Sequence, residues 1–190
     1  MVNKILIFII TGFLFLFFSK TVFGQSFAGH SATLSSFLSY KTKIDENKLI
    51  NLKYKEMTIR SILLNYNSPL VGQEKAFIEV CEKYQLDCYL LPSIAGLEST
   101  FGRFIWPNSY NPFGWGGGYI IFDNWHQAIN TVGQGLKKNY FDKGVVTIED
   151  IGRIYSENPT WAQRVNWFIN RFQKEEEKII LYSPQFKVQL

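Results

Sequence analysis

The chain has 190 residues, 46% of them hydrophobic, which is enough to bury one substantial core and gives no reason to require two. Its 20 basic and 16 acidic residues leave a formal charge of only +4, and the longest basic cluster is Lys137-Lys138; phosphate binding needs clustered Lys and Arg, so nucleic acid is excluded as a partner. Two histidines and no cluster of His, Cys and Asp supply no metal ligand set, and no cofactor is expected.

The N-terminus runs from Lys4 through an apolar stretch, Ile5 to Phe18, to Ser19-Lys20 and the small-residue site Val22-Phe23-Gly24. This is the order of a signal peptide, and it predicts removal of 1–24 with a mature start at Gln25. The apolar run is shorter than the ~20 residues of a spanning helix, and an uncleaved anchor is the alternative. Either way the remainder is expected to be secreted or extracytoplasmic. Loss of Lys4 and Lys20 leaves 18 basic residues against 16 acidic, a charge of +2, which suits an anionic cell wall and ordinary solubility alike.

Residues 25–55 are rich in Ser, Thr, Lys and Asn without helical or strand period, and read as a linker or loosely ordered arm. A folded domain is expected over 56–180, with 181–190 as a C-terminal tail. Its first helix carries the stripe Ile59, Ile62, Leu63 and Tyr66, stopped by Asn67-Ser68-Pro69. Phe77, Val80, Cys81 and Tyr84 line one face of a second. Asp87 is placed to cap a third, with Pro92 in or near its first turn and Glu98 in its last, before Ser99-Thr100-Phe101-Gly102. Cys81 and Cys88, seven apart, allow a disulfide across the break at Gln85-Leu86-Asp87, or two buried thiols.

From Gly102 to Asp123 the chain is crowded with Trp, Tyr, Phe, Asn and Gly; Gly114-Trp115-Gly116-Gly117-Gly118 leading into Tyr119-Ile120-Ile121-Phe122 reads as a loop and short hairpin. A fourth helix is expected from about Asn124. Thr147-Ile148-Glu149-Asp150 looks like a capping box opening a short fifth helix, and a last one begins near Thr160-Trp161. The expected fold class is therefore mostly α, a helical domain with one small β-hairpin lobe.

Glu98 stands out chemically. It closes an apolar helix beside an aromatic loop, where partial burial and the negative end of the helix dipole disfavour its charged form. A protonated carboxyl of this kind is what glycoside cleavage asks of a general acid, and neighbouring aromatic rings offer faces to sugars. An exposed or salt-bridged helix-end Glu is the plainer alternative.

The stretch Leu91-Pro92-Ser93-Ile94-Ala95-Gly96-Leu97-Glu98-Ser99-Thr100-Phe101-Gly102 resembles the catalytic-helix motif of the glucosaminidase branch of the lysozyme-like superfamily, the branch of the endo-beta-N-acetylglucosaminidases. Asn111-Pro112-Phe113-Gly114 is similar to that branch's Asn-x-Phe-Gly segment, Phe122 and Trp125 to its aromatic positions, and Tyr155-Ser156-Glu157-Asn158-Pro159-Thr160-Trp161-Ala162 to its Tyr-Ala-Thr-Asp-Pro-x-Tyr-Ala segment. The resemblance spans Asn65 to Phe172. It implies a lysozyme-like fold, peptidoglycan glycan strands as substrate, and a monomer that hydrolyses the bond between N-acetylglucosamine and N-acetylmuramic acid, or cleaves the strand without water as lytic transglycosylases do. It also implies that Tyr155 lies near the catalytic acid.

Glucosaminidases of this branch usually hold a second carboxylate in the hairpin lobe, yet no Asp or Glu occurs between Glu98 and Asp123. Asp123 is the first candidate for that base or nucleophile, and equally a flank of the fourth helix. Without a second carboxylate, the substrate's own N-acetyl group would stabilise the oxocarbenium ion and Glu98 would act as acid and then base. For substrate binding the candidates are Trp106, Asn111, Phe113, Trp115 and Tyr119, with Phe113 also readable as core and Asn111 as a turn starter. Two other classes compete: a Cys–His peptidase using Cys88 and His126, which lacks an orienting partner, and a noncatalytic glycan-binding module keeping Trp115 without need of Glu98.

Overall fold

The computed structural model describes residues 28–145 and 147–183, with side chains from residue 39 onward; the expected signal segment lies outside the described residues. Among the described residues the chain is mostly helical. It forms α1 (Ala28–Asn65), α2 (Glu74–Tyr84), α3 (Leu90–Ser99), α4 (Trp125–Asn139), a 3-10 turn at Phe141–Lys143, α5 (Ile148–Tyr155) and α6 (Trp161–Tyr182), with no β-strand. No helix among these residues is long and apolar enough to cross a membrane. The chain divides into units Met1–Glu46 and Asn47–Leu190.

Two expectations are corrected. The segment read as a linker to residue 55 is helical from Ala28. Residues 39–49 are exposed, so this stretch has no apolar stripe to betray it in the sequence, while Tyr54, Thr58, Ile59, Ile62 and Leu63 are buried and fix the later turns. A helix nucleated at its packed end extends with one hydrogen bond per added residue, and Lys, Glu and Leu do not oppose it.

The hairpin lobe is also absent: residues 100–124 form a succession of turns and bends. Gly114, Gly116, Gly117 and Gly118 all have positive φ, as do Asn108 and Tyr110, so the backbone repeatedly reverses where two strands would need extended stretches to pair. One bond, Phe122 N–H to the Ser109 carbonyl (2.8 Å), closes the loop.

The core of the second unit surrounds α3, whose residues Leu90 to Gly96 are all buried, Pro92 and Ser93 included. Such a helix is apolar all round because it has neighbours all round. Packing of α6 against α3 brings Phe101, Phe168 and Phe172 together, with ring centroids 5.5 and 6.2 Å from Phe101. α2 packs on α4, and α5 on α6. Cys81 and Cys88 form a disulfide with Cα atoms 4.9 Å apart, possible because α2 ends at Gln85 in the left-handed conformation. Asp87 is not the cap of α3: the capping position is Tyr89, which has no side-chain cap bond, and Asp87, two residues earlier, accepts the Tyr89 N–H at its Oδ1. Thr147 caps α5, its hydroxyl oxygen accepting the Asp150 N–H at 3.1 Å.

Candidate active site

Glu98 lies in the last turn of α3, and the chain leaves the helix at once because Thr100 and Phe101 both take positive φ. Ser99 is buried and ties the departing chain back. Its hydroxyl donates to the Pro112 carbonyl (2.7 Å) and accepts the Gly102 N–H (2.8 Å), so the loop carrying Phe113 and Gly114 returns to the end of α3. Glu98 therefore faces a loop pinned by its own neighbour in sequence.

The carboxylate is held asymmetrically. Oε1 accepts the indole Nε1–H of Trp161, at the start of α6, at 2.7 Å. Oε2 lies over Gly114, so close that a Cβ added there would stand 3.4 Å from it. Gly114 also has φ +64°, a backbone conformation that favours a residue without a side chain, while a Cβ there would make only ordinary contact with the carboxylate. Burial raises the Glu98 pKa above the ordinary carboxylate value, opposed by the Trp161 hydrogen bond and then by the positive charge of Arg164. More than a third of the residue remains open to solvent, so this burial is partial: a carboxyl against a protein wall on one side and reachable on the other.

Tyr155, at the end of α5, stands behind this group. Its hydroxyl donates to the Phe113 carbonyl at 2.6 Å, and its ring lies 4.9 Å from that of Trp161 and 5.8 Å from that of Trp115. Burial, and after it the charges of Glu98 and Tyr140, push the Tyr155 pKa far above its ordinary value. The phenol thus stays protonated, with its proton committed to a backbone carbonyl. Tyr155 is a positioning residue that fixes the loop against Trp161.

The expected substrate-binding residues separate into two groups. Phe113 is fully buried and belongs to the core. Asn111 is 3% exposed, and both its amide hydrogens are used: Nδ2 donates to the carbonyls of Trp115 (2.8 Å) and Ile120 (3.1 Å), while Oδ1 accepts the Trp115 N–H (3.0 Å). These two residues are buried and shape the loop. Trp115 is half-buried, its ring seated on Gly135 of α4, where an added Cβ would come within 2.6 Å of it. One edge of the ring joins the core; the remainder, with Gly116, Gly117, Asn139, Ile154 and Tyr155, borders a hollow of about 330 Å³. Trp106 and Tyr119 are 63% and 79% exposed and available for contact.

Asp123 is engaged at the start of α4. Its Oδ2 accepts from Gln127 Nε2 at 2.8 Å and its N–H donates to Gln127 Oε1 at 2.6 Å, while Asn124 is the cap proper, accepting the Gln127 N–H at 2.9 Å. Of the other acids between α4 and α6, Asp142 pairs with Lys137, Glu149 accepts from Asn166 and Asp150 pairs with Arg153, while Glu157 is exposed. The groups that act on Glu98 are Trp161 and Arg164, neither of them a carboxylate. With Cys88 in a disulfide and His126 facing Glu79 at 3.6 Å, the Cys–His pair has no free thiol. Among the described residues, no cluster of His, Cys, Asp and Glu suits a metal ion.

Sequence reasoning placed Trp161 at the head of the last helix and missed its hydrogen bond to Glu98, as it missed Arg164. One signal was present: a residue with a ring N–H stands where the similar segment of glucosaminidases has Tyr. No protein-family model matches the chain, and no curated protein does.

Proposed function

We propose that this chain cleaves the glycan strands of peptidoglycan, as an endo-β-N-acetylglucosaminidase on a lysozyme-like helical fold, with Glu98 as the proton donor. The observation that carries this reading is the environment of Glu98: partly desolvated, raised in pKa, and fixed at one oxygen by Trp161 so that the other faces an aromatic, glycine-rich loop. A carboxyl whose pKa burial raises and which a neutral donor orients suits protonation of a glycosidic oxygen. Trp115, Trp106 and Tyr119 supply ring faces for sugars at the same loop.

A second reading concerns the route, and the pairing of Asp123 with Gln127 favours it. On this route the conjugate base of Glu98 takes over after the leaving group departs. The N-acetyl oxygen of the substrate then stabilises the sugar cation, and Glu98 removes a proton either from water or from the 6-hydroxyl of muramic acid. The first gives a reducing sugar and the second a 1,6-anhydro sugar.

Glu98→Gln keeps the shape and removes the transferable proton. It should lower cleavage of purified peptidoglycan at least ~100-fold while leaving binding intact. Mass spectrometry of the wild-type digest distinguishes the products: reducing-end N-acetylglucosamine marks the hydrolase, 1,6-anhydromuramic acid the transglycosylase route. Wild-type cleavage by Glu98→Gln would remove the assignment.

A further inference from the structure

α6 has two faces. Trp161 reaches Glu98, and Val165, Ile169 and Phe172 are buried. At about 100° per residue, Gln163, Asn166, Trp167, Asn170, Arg171 and Lys174 recur at spacings of three and four and fall on the outward side. From first to last they extend over roughly 16 Å of helix. This face carries three amides, a half-exposed tryptophan and two cations.

Trp167 is 54% exposed but not loose. Its ring meets Phe168 edge-on at 4.8 Å, and the Arg171 guanidinium lies 5.5 Å from its centroid and 5.2 Å from that of Tyr66. The ring is therefore a fixed plate projecting from the core. Trp167 and Asn170 together form the wall between two adjoining hollows. One, of about 470 Å³, extends toward Pro159 and Gln163; the other, of about 370 Å³, toward Ile62, Arg171 and Lys174. The pair makes an open trough along α6, long enough for several sugar rings.

The two ends differ in charge. Near Gln163 the lining is amide with one carboxylate, Glu149, which accepts from Asn166 Nδ2 at 3.0 Å. The far end is cationic. Its one lining acid, Glu175, accepts from Ser61 (2.7 Å) and Lys178 (3.5 Å), leaving Arg171 and Lys174 without an ion-pair partner among the described residues. An aromatic plate, amides in a row and unpaired cations at one end match a polysaccharide bearing carboxylates, with a ring on Trp167, hydroxyl and acetamido groups on the amides, and carboxylates at Arg171 and Lys174.

We propose that this trough is a second, noncatalytic site that holds an uncleaved peptidoglycan strand by its sugars and its lactyl or stem-peptide carboxylates. The partner rests on the proposed wall substrate; the trough itself is separate from Glu98, on the opposite side of α6. It would keep the enzyme on an insoluble polymer between cuts.

The test uses the chain carrying Glu98→Gln and sedimentation with peptidoglycan sacculi stripped of phosphate polymers by acid, at low and high salt. Trp167→Ala should weaken binding about tenfold. Lys174→Glu, at an exposed position with no ion pair to lose, should weaken it at least ~3-fold and flatten its salt dependence. In the Glu98 background, both variants should cleave short soluble fragments at the wild-type rate. Circular dichroism establishes that each is folded; should Trp167→Ala unfold, Lys174→Glu alone decides. Sacculus binding unchanged in the folded variants overturns the proposal and leaves the Glu98 assignment standing. Variant-sensitive binding to unstripped but not stripped sacculi overturns the choice of partner in favour of a wall phosphate polymer. If Glu98→Gln cleaves normally while Trp167→Ala still weakens binding, the catalytic reading falls and the trough survives.

Discussion

Trp161→Phe tests the claim that an indole N–H tunes the acid. Phe keeps a ring against Tyr155 and removes the donor that lies 2.7 Å from Glu98 Oε1. That bond lowers the Glu98 pKa, so its loss must move the pKa further up, in the direction burial already drives it. A hydrogen bond to a charged group contributes ~1.5–3 kcal/mol, but Glu98 is more than a third exposed and water replaces part of what is lost; about 1 kcal/mol is a reasonable remainder. The ionisation equilibrium then shifts roughly fivefold toward the protonated acid. Because the acid works when protonated, kcat/KM falls as pH rises through the Glu98 pKa, and this alkaline limb should move to higher pH in the variant. The indole is also nearly buried, at 3% exposure, so some ~1–3 kcal/mol of stability should be lost in parallel. The assay is a pH profile on soluble peptidoglycan fragments beside a carbon-NMR titration of the Glu98 carboxyl, which reads the pKa whether or not turnover survives. A titration midpoint that stays put or moves down in folded Trp161→Phe would refute the reasoning.

Four further outcomes are expected. Asp123→Asn should reduce cleavage less than about threefold, because its carboxylate serves Gln127; a severe loss with the fold intact would promote it to base or nucleophile. Asn111→Ala removes three hydrogen bonds from a buried site and should cost about 2–4 kcal/mol in urea unfolding, with a looser Trp115 seen in fluorescence. Cys88→Ser opens the Cys81–Cys88 link, should lower stability by about 2 kcal/mol, and should retain activity at low temperature, since the cysteine has no part in the chemistry. Glu98→Gln should unfold at no lower temperature than wild type at neutral pH: burial makes the charged carboxylate unfavourable in the fold, and the amide removes that charge.

The helices of the second unit were legible where an apolar stripe met a stop signal. Ile59, Ile62 and Leu63 before Asn67, or Phe77, Val80 and Cys81 before Gln85, reveal both the element and its buried face. The first part of α1 was not legible, since an exposed helix continued from a packed one needs no pattern of its own. The aromatic loop misled for a related reason: Tyr119-Ile120-Ile121-Phe122 has the composition of a strand, but only Phe122 of these is buried, and the glycines ahead of it turn the chain too often for pairing. At the site, Glu98 was visible because its position in a helix end is local information. Its partners were not, because Trp161 is 63 residues away and reaches it only after α6 packs along α3. Asn111 and Phe113 were read both as ligand groups and as turn starter and core; the choice depends on which carbonyls and which core face surround them.

The loop between α3 and α4 has a further consequence for how such a site can change. It is fastened at discrete points, by Ser99 to Pro112, Ser109 to Phe122, Asn111 to Trp115 and Ile120, and Tyr155 to Phe113. A hairpin lobe would carry a ladder in which one added residue inverts every side chain beyond it. Here no register exists to be broken. Lengthening the exposed stretch at Pro107–Asn108 would alter the outer rim of the loop while leaving Gly114 against Glu98. The outer edge of this loop can therefore be reshaped by insertion without disturbing how Glu98 is held.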